Sequence, residues 1–306
     1  MIPVFRLGYV TFFSKNVKAM VDYYTNVLGC KVVEQVENGT VYISNGFEHH
    51  HIVIHPSQHS FMEGIGWQVN AQMGLKDAQY LLREEGIFSE LIHDKQPGVV
   101  EQLEFKDPDG NKIFLYHEME YSSPGYSEVG IIPNKLGHLS ISVKNAPQNV
   151  DFYHRILGFH KTDQILDVAS FLTCNEDHHT LNIIQGKKSY MHHIAFQLRN
   201  PGHQYASSDI LMRHNMPTIW GPSRHTAGHN IASYHFDPDK HVIELYTDMD
   251  KYIQELDIME PRPWHKERPL RPKKWESFEH WETQFSDILP SVEESKMDRP
   301  KQILPL

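Results

Sequence analysis

The chain has 306 residues, 40% hydrophobic and 22% charged, enough for about two domains with a sizeable core. Twenty-nine basic against 39 acidic side chains give a formal net charge of −10 with no dense Lys/Arg block, which argues against nucleic acid and anionic membranes as partners. No apolar run approaches the roughly 18 residues of a membrane-spanning helix. The opening stretch MIPVFRLGYVTFF lacks the features of a signal peptide, and Cys30 and Cys174 cannot build a disulfide framework, so a cytoplasmic protein is expected. The 22 histidines stand out.

In chain order, the elements come twice. Leu7-Gly8-Tyr9-Val10 returns as Leu136-Gly137-His138-Leu139, an offset of 129 (136 − 7). Asp22-Tyr23-Tyr24 with Leu28-Gly29 returns as Asp151-Phe152-Tyr153 with Leu157-Gly158, and Ile65–Val69 returns as Ile194–Leu198. DPDGNKIFLY from Asp107 answers DPDKHVIELY from Asp237. Four ordered matches at a near-constant offset mean two copies of one module. In the second copy, alternation predicts strands over 136–143, 161–165, 170–174, 180–184, 192–198, 231–236 and 241–246. Helical spacing predicts helices over 146–157 and 204–214, and Asp237-Pro238-Asp239 is a turn. The fold class is α+β. The boundaries are 1–122 for the first module, 130–250 for the second and 251–306 for an extension.

His138, His193 and Glu244 are polar at strand positions whose neighbours are apolar. Alternation sets Leu139 and Ile141 opposite His138, Ile194 and Phe196 opposite His193, and Ile243 and Leu245 opposite Glu244. All three ligand candidates therefore face away from the packed side. Burying them without a partner is costly, and a divalent metal removes that cost. Two imidazoles and a carboxylate on one face leave positions open, the arrangement of non-haem Fe(II) oxygenases. A histidine is more often structural than a ligand, and His192 competes with His193. At the equivalent positions the first copy has Tyr9, Gly64 and Phe114, so that module is expected to be metal-free.

Over about residues 5–250 the sequence resembles the type I extradiol ring-cleavage dioxygenases of the vicinal oxygen chelate superfamily, in the branch of catechol and homoprotocatechuate 2,3-dioxygenases. The resemblance rests on Gly137-His138, Met191–Phe196, Arg224-His225, Tyr234–Asp239 and Glu244. It implies modules built from paired βαβββ units (a glyoxalase-like fold), with the metal in the second. It also implies Fe(II), or alternatively Mn(II), with O2 as co-substrate, a small aromatic diol as substrate and a homo-oligomer, dimer or tetramer. His179, with His178 as the alternative, corresponds to the acid/base histidine facing the O2 site. His225 and Tyr234 correspond to the substrate-binding histidine and active-site tyrosine, while Phe171 reads either as part of the pocket wall or as a core residue. Lys240-His241 stands where the family usually has glycine and a polar residue. His229, His235 and His241 read as surface residues. A non-oxidative glyoxalase-like isomerase or lyase, or a small-molecule-binding protein, is the competing reading.

Beyond Asp250, prolines in 260–272 predict an extended strap. Trp275, Phe278, Trp281, Phe285 and Ile288 recur at helical steps. That stripe reads as core or subunit packing, with a cover over the site mouth as the alternative, and 293–306 as loose or docked on a neighbour.

Overall fold

A computed structural model describes residues 1–260, 262 and 264–281. Four successive βαβββ units make up the two modules. The first unit is β1 (Val4–Ser14), α1 (Val17–Asp22, continued by a wider helical turn over Tyr23–Val27), β2 (Lys31–Gln35), β3 (Val41–Ser44) and β4 (Ile52–Pro56). The second is β5 (Phe61–Val69), α2 (Leu75–Glu84), β6 (Glu90–Gln96), β7 (Val99–Lys106) and β8 (Lys112–Tyr116). The third is β9 (Lys135–Val143), α3 (Ala146–Arg155), β10 (His160–Ile165), β11 (Ala169–Thr173) and β12 (Leu181–Gln185). The fourth is β13 (Tyr190–Gln197), α4 (Pro201–Arg213), β14 (Trp220–Arg224), β15 (Ile231–Phe236) and β16 (Val242–Thr247). Short strands β17 (Tyr252–Ile253), β18 (Ile258–Met259) and β19 (Lys274–Trp275) follow.

Each module is one sheet. The orders are β2-β3-β4-β1-β5-β8-β7-β6 and β14-β15-β16-β13-β9-β12-β11-β10-β19. Within a sheet, two units meet through an antiparallel pair of their first strands, β1 with β5 and β9 with β13. Asparagine starts three of the helices: Asn16, Asn145 and Asn200 accept from the amides of Ala19, Gln148 and His203, and proline stands in the first turn of α3 and α4. Apolar faces of helices and sheets merge into one core holding Trp67, Tyr24, Tyr153, Phe159 and Phe196. The modules also exchange polar contacts. Tyr153 donates to Asp107 Oδ2 at 3.2 Å, Asp109 accepts from the Lys144 amide at 2.8 Å, and the Tyr23 hydroxyl meets His235 Nε2 at 2.8 Å. No helix among the described residues is long and apolar enough to cross a membrane.

Three expectations change. β14 has no counterpart in the sequence reading. His229 and His235 are buried, not surface residues: His229 pairs with Asp250, and His235 sits between the modules against Tyr23. His241 is half-buried on Asp237. Trp275 is not helical: β19 adds in parallel to the edge of β10. Phe278 and Trp281 also lie outside any helix, whereas Phe285, Ile288 and 293–306 fall outside the described residues. At the Asp237 turn, Lys240 takes φ +72 where Gly110 takes +91, and both amides bond back to the turn's first aspartate. The departure from glycine therefore leaves the strand register intact.

Candidate metal centre

Three neighbouring strands, β16, β13 and β9, build the centre. Ala195 on β13 pairs with Glu244 on one side and His138 on the other, and His193 lies two residues earlier on the same face. The small Ala195 leaves the space between its neighbours open to them. His138 Nε2 stands 3.1 Å and His193 Nε2 3.0 Å from Glu244 Oε2, and all three residues are buried. One ligand atom from each lies within 4.8 Å of the others. Two imidazole nitrogens and a carboxylate oxygen, converging without any basic side chain, are a donor set that suits a divalent cation. Burial tends to raise the Glu244 carboxyl, but His138 and His193 outweigh it and hold the group well below the usual carboxylate range. Burial lowers His193. His192 is not part of this convergence; its Nδ1 lies 2.7 Å from Nδ1 of His193.

The other expected residues gather around this set. The His179 ring lies 4.4 Å from that of His138 and 5.0 Å from Phe171, whereas His178 points to Asp163. Burial, reinforced by His138 and His178, holds His179 neutral, well below the ordinary imidazole value. His225 Nε2 and the Tyr234 hydroxyl are 2.7 Å apart, and Tyr234 pairs across the sheet with Glu244. Burial lowers His225 to about 4 and, together with Glu244, raises the Tyr234 phenol well above its usual value.

Two contributors were not foreseen. Asn230 Nδ2 donates to Glu244 Oε1 at 3.0 Å, which orients the carboxylate so that Oε2 faces the histidines. Trp220 stacks on both His225 and Tyr234, at 5.1 Å from each. Its place opposite Tyr234 comes from β14, whose alternation is broken by Gly221 and Pro222.

The first module fills the same volume. Gly66 pairs with Tyr9 and Phe114 as Ala195 pairs with His138 and Glu244. A Cβ on Gly66 would approach the Tyr9 ring to 2.3 Å, and one on Gly64 the Phe114 ring to 2.6 Å. Two rings and two glycines there replace three ligands and an alanine.

The sequence profile of the Glyoxalase/Bleomycin resistance protein/Dioxygenase superfamily matches residues 6–115 and 135–245. The chain belongs to this superfamily. Among its curated members, a metapyrocatechase of Geobacillus stearothermophilus is 23% identical over 87% of this chain and 88% of its own. A second metapyrocatechase, from Pseudomonas sp. (strain CF600), is 23% identical over 82% and 89%. The 2,3-dioxygenase LapB from Pseudomonas sp. KL28 shares the superfamily fold with a TM-score of 0.78 and 22% identity, over 90% of this chain and 98% of that one. A Mn(II)-bound glyoxalase from Novosphingobium aromaticivorans does so at 0.80 and 21%, over 92% of each.

A second buried group, His229, Asp250 and His265, also lies within 4.8 Å. It is a poor metal site. His265 Nδ1 accepts the Arg262 amide at 3.2 Å, so a neutral ring keeps its proton on Nε2. Arg262 Nε also donates to Asp250 at 2.7 Å. The group anchors the C-terminal segment, whose Glu279 meets Ser223 and whose Phe278 carbonyl accepts from Thr226 beside His225.

Proposed function

We propose that this protein is a catechol 2,3-dioxygenase-like enzyme that cleaves a catecholic ring with O2 beside its two hydroxyls, giving a muconic semialdehyde-type product. The observation that carries the reading is the complete ligand set in one module, with a neutral histidine beside His138 and a hydrogen-bonded His225–Tyr234 pair beside Glu244. The names of the metapyrocatechase relatives support it. A non-oxidative glyoxalase-like activity or simple binding is the weaker reading, because neither calls for this combination in a single module.

His138, His193 and Glu244 would hold the metal, Fe(II) in this proposal, with Mn(II) fitting the same donors. The bound metal supplies a common site at which catechol and O2 meet and exchange electron density. Tyr234 and His225 hydrogen-bond and orient the substrate oxygens. His179, kept neutral, moves a proton at its Nε2 during ring opening. Phe171 against His179 and Trp220 against Tyr234 wall the pocket and exclude water. Residues 130–250 then form the reacting module and 1–122 a metal-free one, in a homo-oligomer of two or four chains acting in the cytoplasm.

The test is anaerobic loading with Fe(II) followed by O2 uptake across a small panel of catechols. One O2 consumed per catechol with a yellow product is expected. Bound metal with no uptake on any catechol overturns the assignment.

A further inference from the structure

His179 does not stand alone behind its proposed proton transfer. Its Nδ1 lies 3.0 Å from Nδ1 of His178, and Nε2 of His178 lies 3.0 Å from Asp163 Oδ2. Asp163 accepts two further bonds from the C-terminal segment: Trp275 Nε1 donates to Oδ2 at 2.7 Å and the Lys273 amide donates to Oδ1 at 2.8 Å. Both of those groups are donor-only. The carboxylate is thus fixed as an acceptor, and all three side chains of the chain are buried.

We propose that Asp163 and His178 are positioning residues that hold His179 in the tautomer with its proton on Nδ1 and a free lone pair on Nε2. For a neutral His178 the sequence of donors requires it. His178 gives its Nε2 proton to Asp163, so the Nδ1 of a neutral His178 can only accept. His179 must then donate from Nδ1, and its other nitrogen is unprotonated. Backbone closes over the Nδ1–Nδ1 contact at Gly228, where an added Cβ would come within 3.0 Å of His178 and 3.3 Å of His179. Gly228 also takes φ +81, so a side chain there is excluded twice.

The first module repeats the arrangement at an offset of 129. Glu34 Oε2 lies 3.2 Å from His49 Nε2, and His49 Nδ1 lies 3.0 Å from His50 Nδ1. Its two imidazoles cross at 88°, against 90° for His178 and His179. The anchoring of the acid differs. The Glu34 side chain is 43% exposed and Asp163 only 4%. The indole of Trp275 and the Lys273 amide fasten the relay only where His179 adjoins the ligand set.

The inference rests on the proposed role of His179, yet its primary readout does not need turnover. In metal-free protein labelled with [15N]histidine, long-range 1H–15N spectra distinguish the two tautomers, and His179→Gln identifies the signals of His179. Wild type is expected to show His179 protonated at Nδ1 alone. Asp163→Leu removes the acceptor of His178 and is expected to release His179 into both tautomers, whereas Asp163→Glu keeps the wild-type pattern. Nε2–H in wild type, or a single unchanged tautomer in Asp163→Leu, overturns the proposal. If Asp163→Leu does not fold, His178→Phe removes the acceptor of His179 itself and is expected to have the same effect. A single, unchanged tautomer there overturns the proposal equally. In the Fe(II)-loaded enzyme, Asp163→Leu is expected to lower kcat about tenfold or more with KM for catechol within about twofold, and Asp163→Glu to restore it. A tautomer change in a protein that consumes no O2 with catechol leaves the relay standing and removes the dioxygenase reading. Normal O2 uptake with an unchanged tautomer removes the relay alone.

Discussion

The two modules are an internal experiment. They share strand order, the helix-capping asparagines at 16 and 145, the aspartate turn and a carboxylate–histidine–histidine chain, and they differ where Tyr9, Gly64 and Phe114 stand for His138, His193 and Glu244. Packed rings occupy the first interior, a cluster of Tyr9, Tyr42, Phe114, Tyr116 and Met119. Converging polar atoms occupy the second. The carboxylate–histidine–histidine chain is therefore a property of the module's backbone and does not depend on ligands next to it. What makes one module a candidate catalyst is a ligand set in place of packed rings, the His225–Tyr234 pair and a C-terminal segment that fastens Asp163.

The largest way to break this comparison is to remove a ligand. Glu244→Ala is expected to abolish Fe(II) retention and lower O2 uptake by roughly 10³-fold or more, while Phe114→Leu in the first module leaves metal content at the wild-type level. Metal analysis after gel filtration decides, and equal losses in both would end the asymmetry. Next, His179→Ala is expected to lower kcat by about 10²- to 10⁴-fold. Its counterpart His50→Ala should leave turnover per folded molecule unchanged, as steady-state O2 uptake would report. Asn230→Ala frees the outer oxygen of Glu244, and a roughly 10- to 100-fold weaker metal affinity is expected in a competition titration with a chelating dye.

Smaller effects lie at the seam. Burial lowers His235 to about 3, so between that pH and its unfolded value near 6.5 the unfolded chain binds a proton that the folded one refuses. The stability is complete above pH 6.5 and drains away as the pH falls towards 3. Melting temperatures of His235→Gln between pH 7.5 and 4.5 are expected to fall less steeply than those of wild type, and parallel slopes would refute this. Tyr153→Phe removes the bond to Asp107 and is expected to cost about 1 kcal/mol in urea unfolding.

The fold was legible because a near-constant offset ties Leu7, Asp22, Ile65 and Asp107 to their second-module counterparts, and because strand parity puts His138, His193 and Glu244 on one face. The same offset joins His49-His50 to His178-His179 and Glu34 to Asp163, but a search for ligands passes over a pair that the module lacking them also carries. Trp220 was hidden because Gly221 and Pro222 interrupt its strand, and Asn230 because one amide in a loop has no periodicity. Trp275 misled for a different reason. Its three-residue steps to Phe278 and Trp281 fit a helix, yet an open edge at β10 and the Asp163 carboxylate capture it as a strand.

The placement of β19 also sets an order of events during synthesis. His138, His193 and Glu244 all precede Lys273 and Trp275 in the chain, Glu244 by 29 residues (273 − 244). A nascent chain can thus assemble its donor set while Asp163 still lacks the two groups that fasten it. On the proposed function, metal binding would need only the earlier residues, and proton transfer by His179 would wait on the last strand to dock.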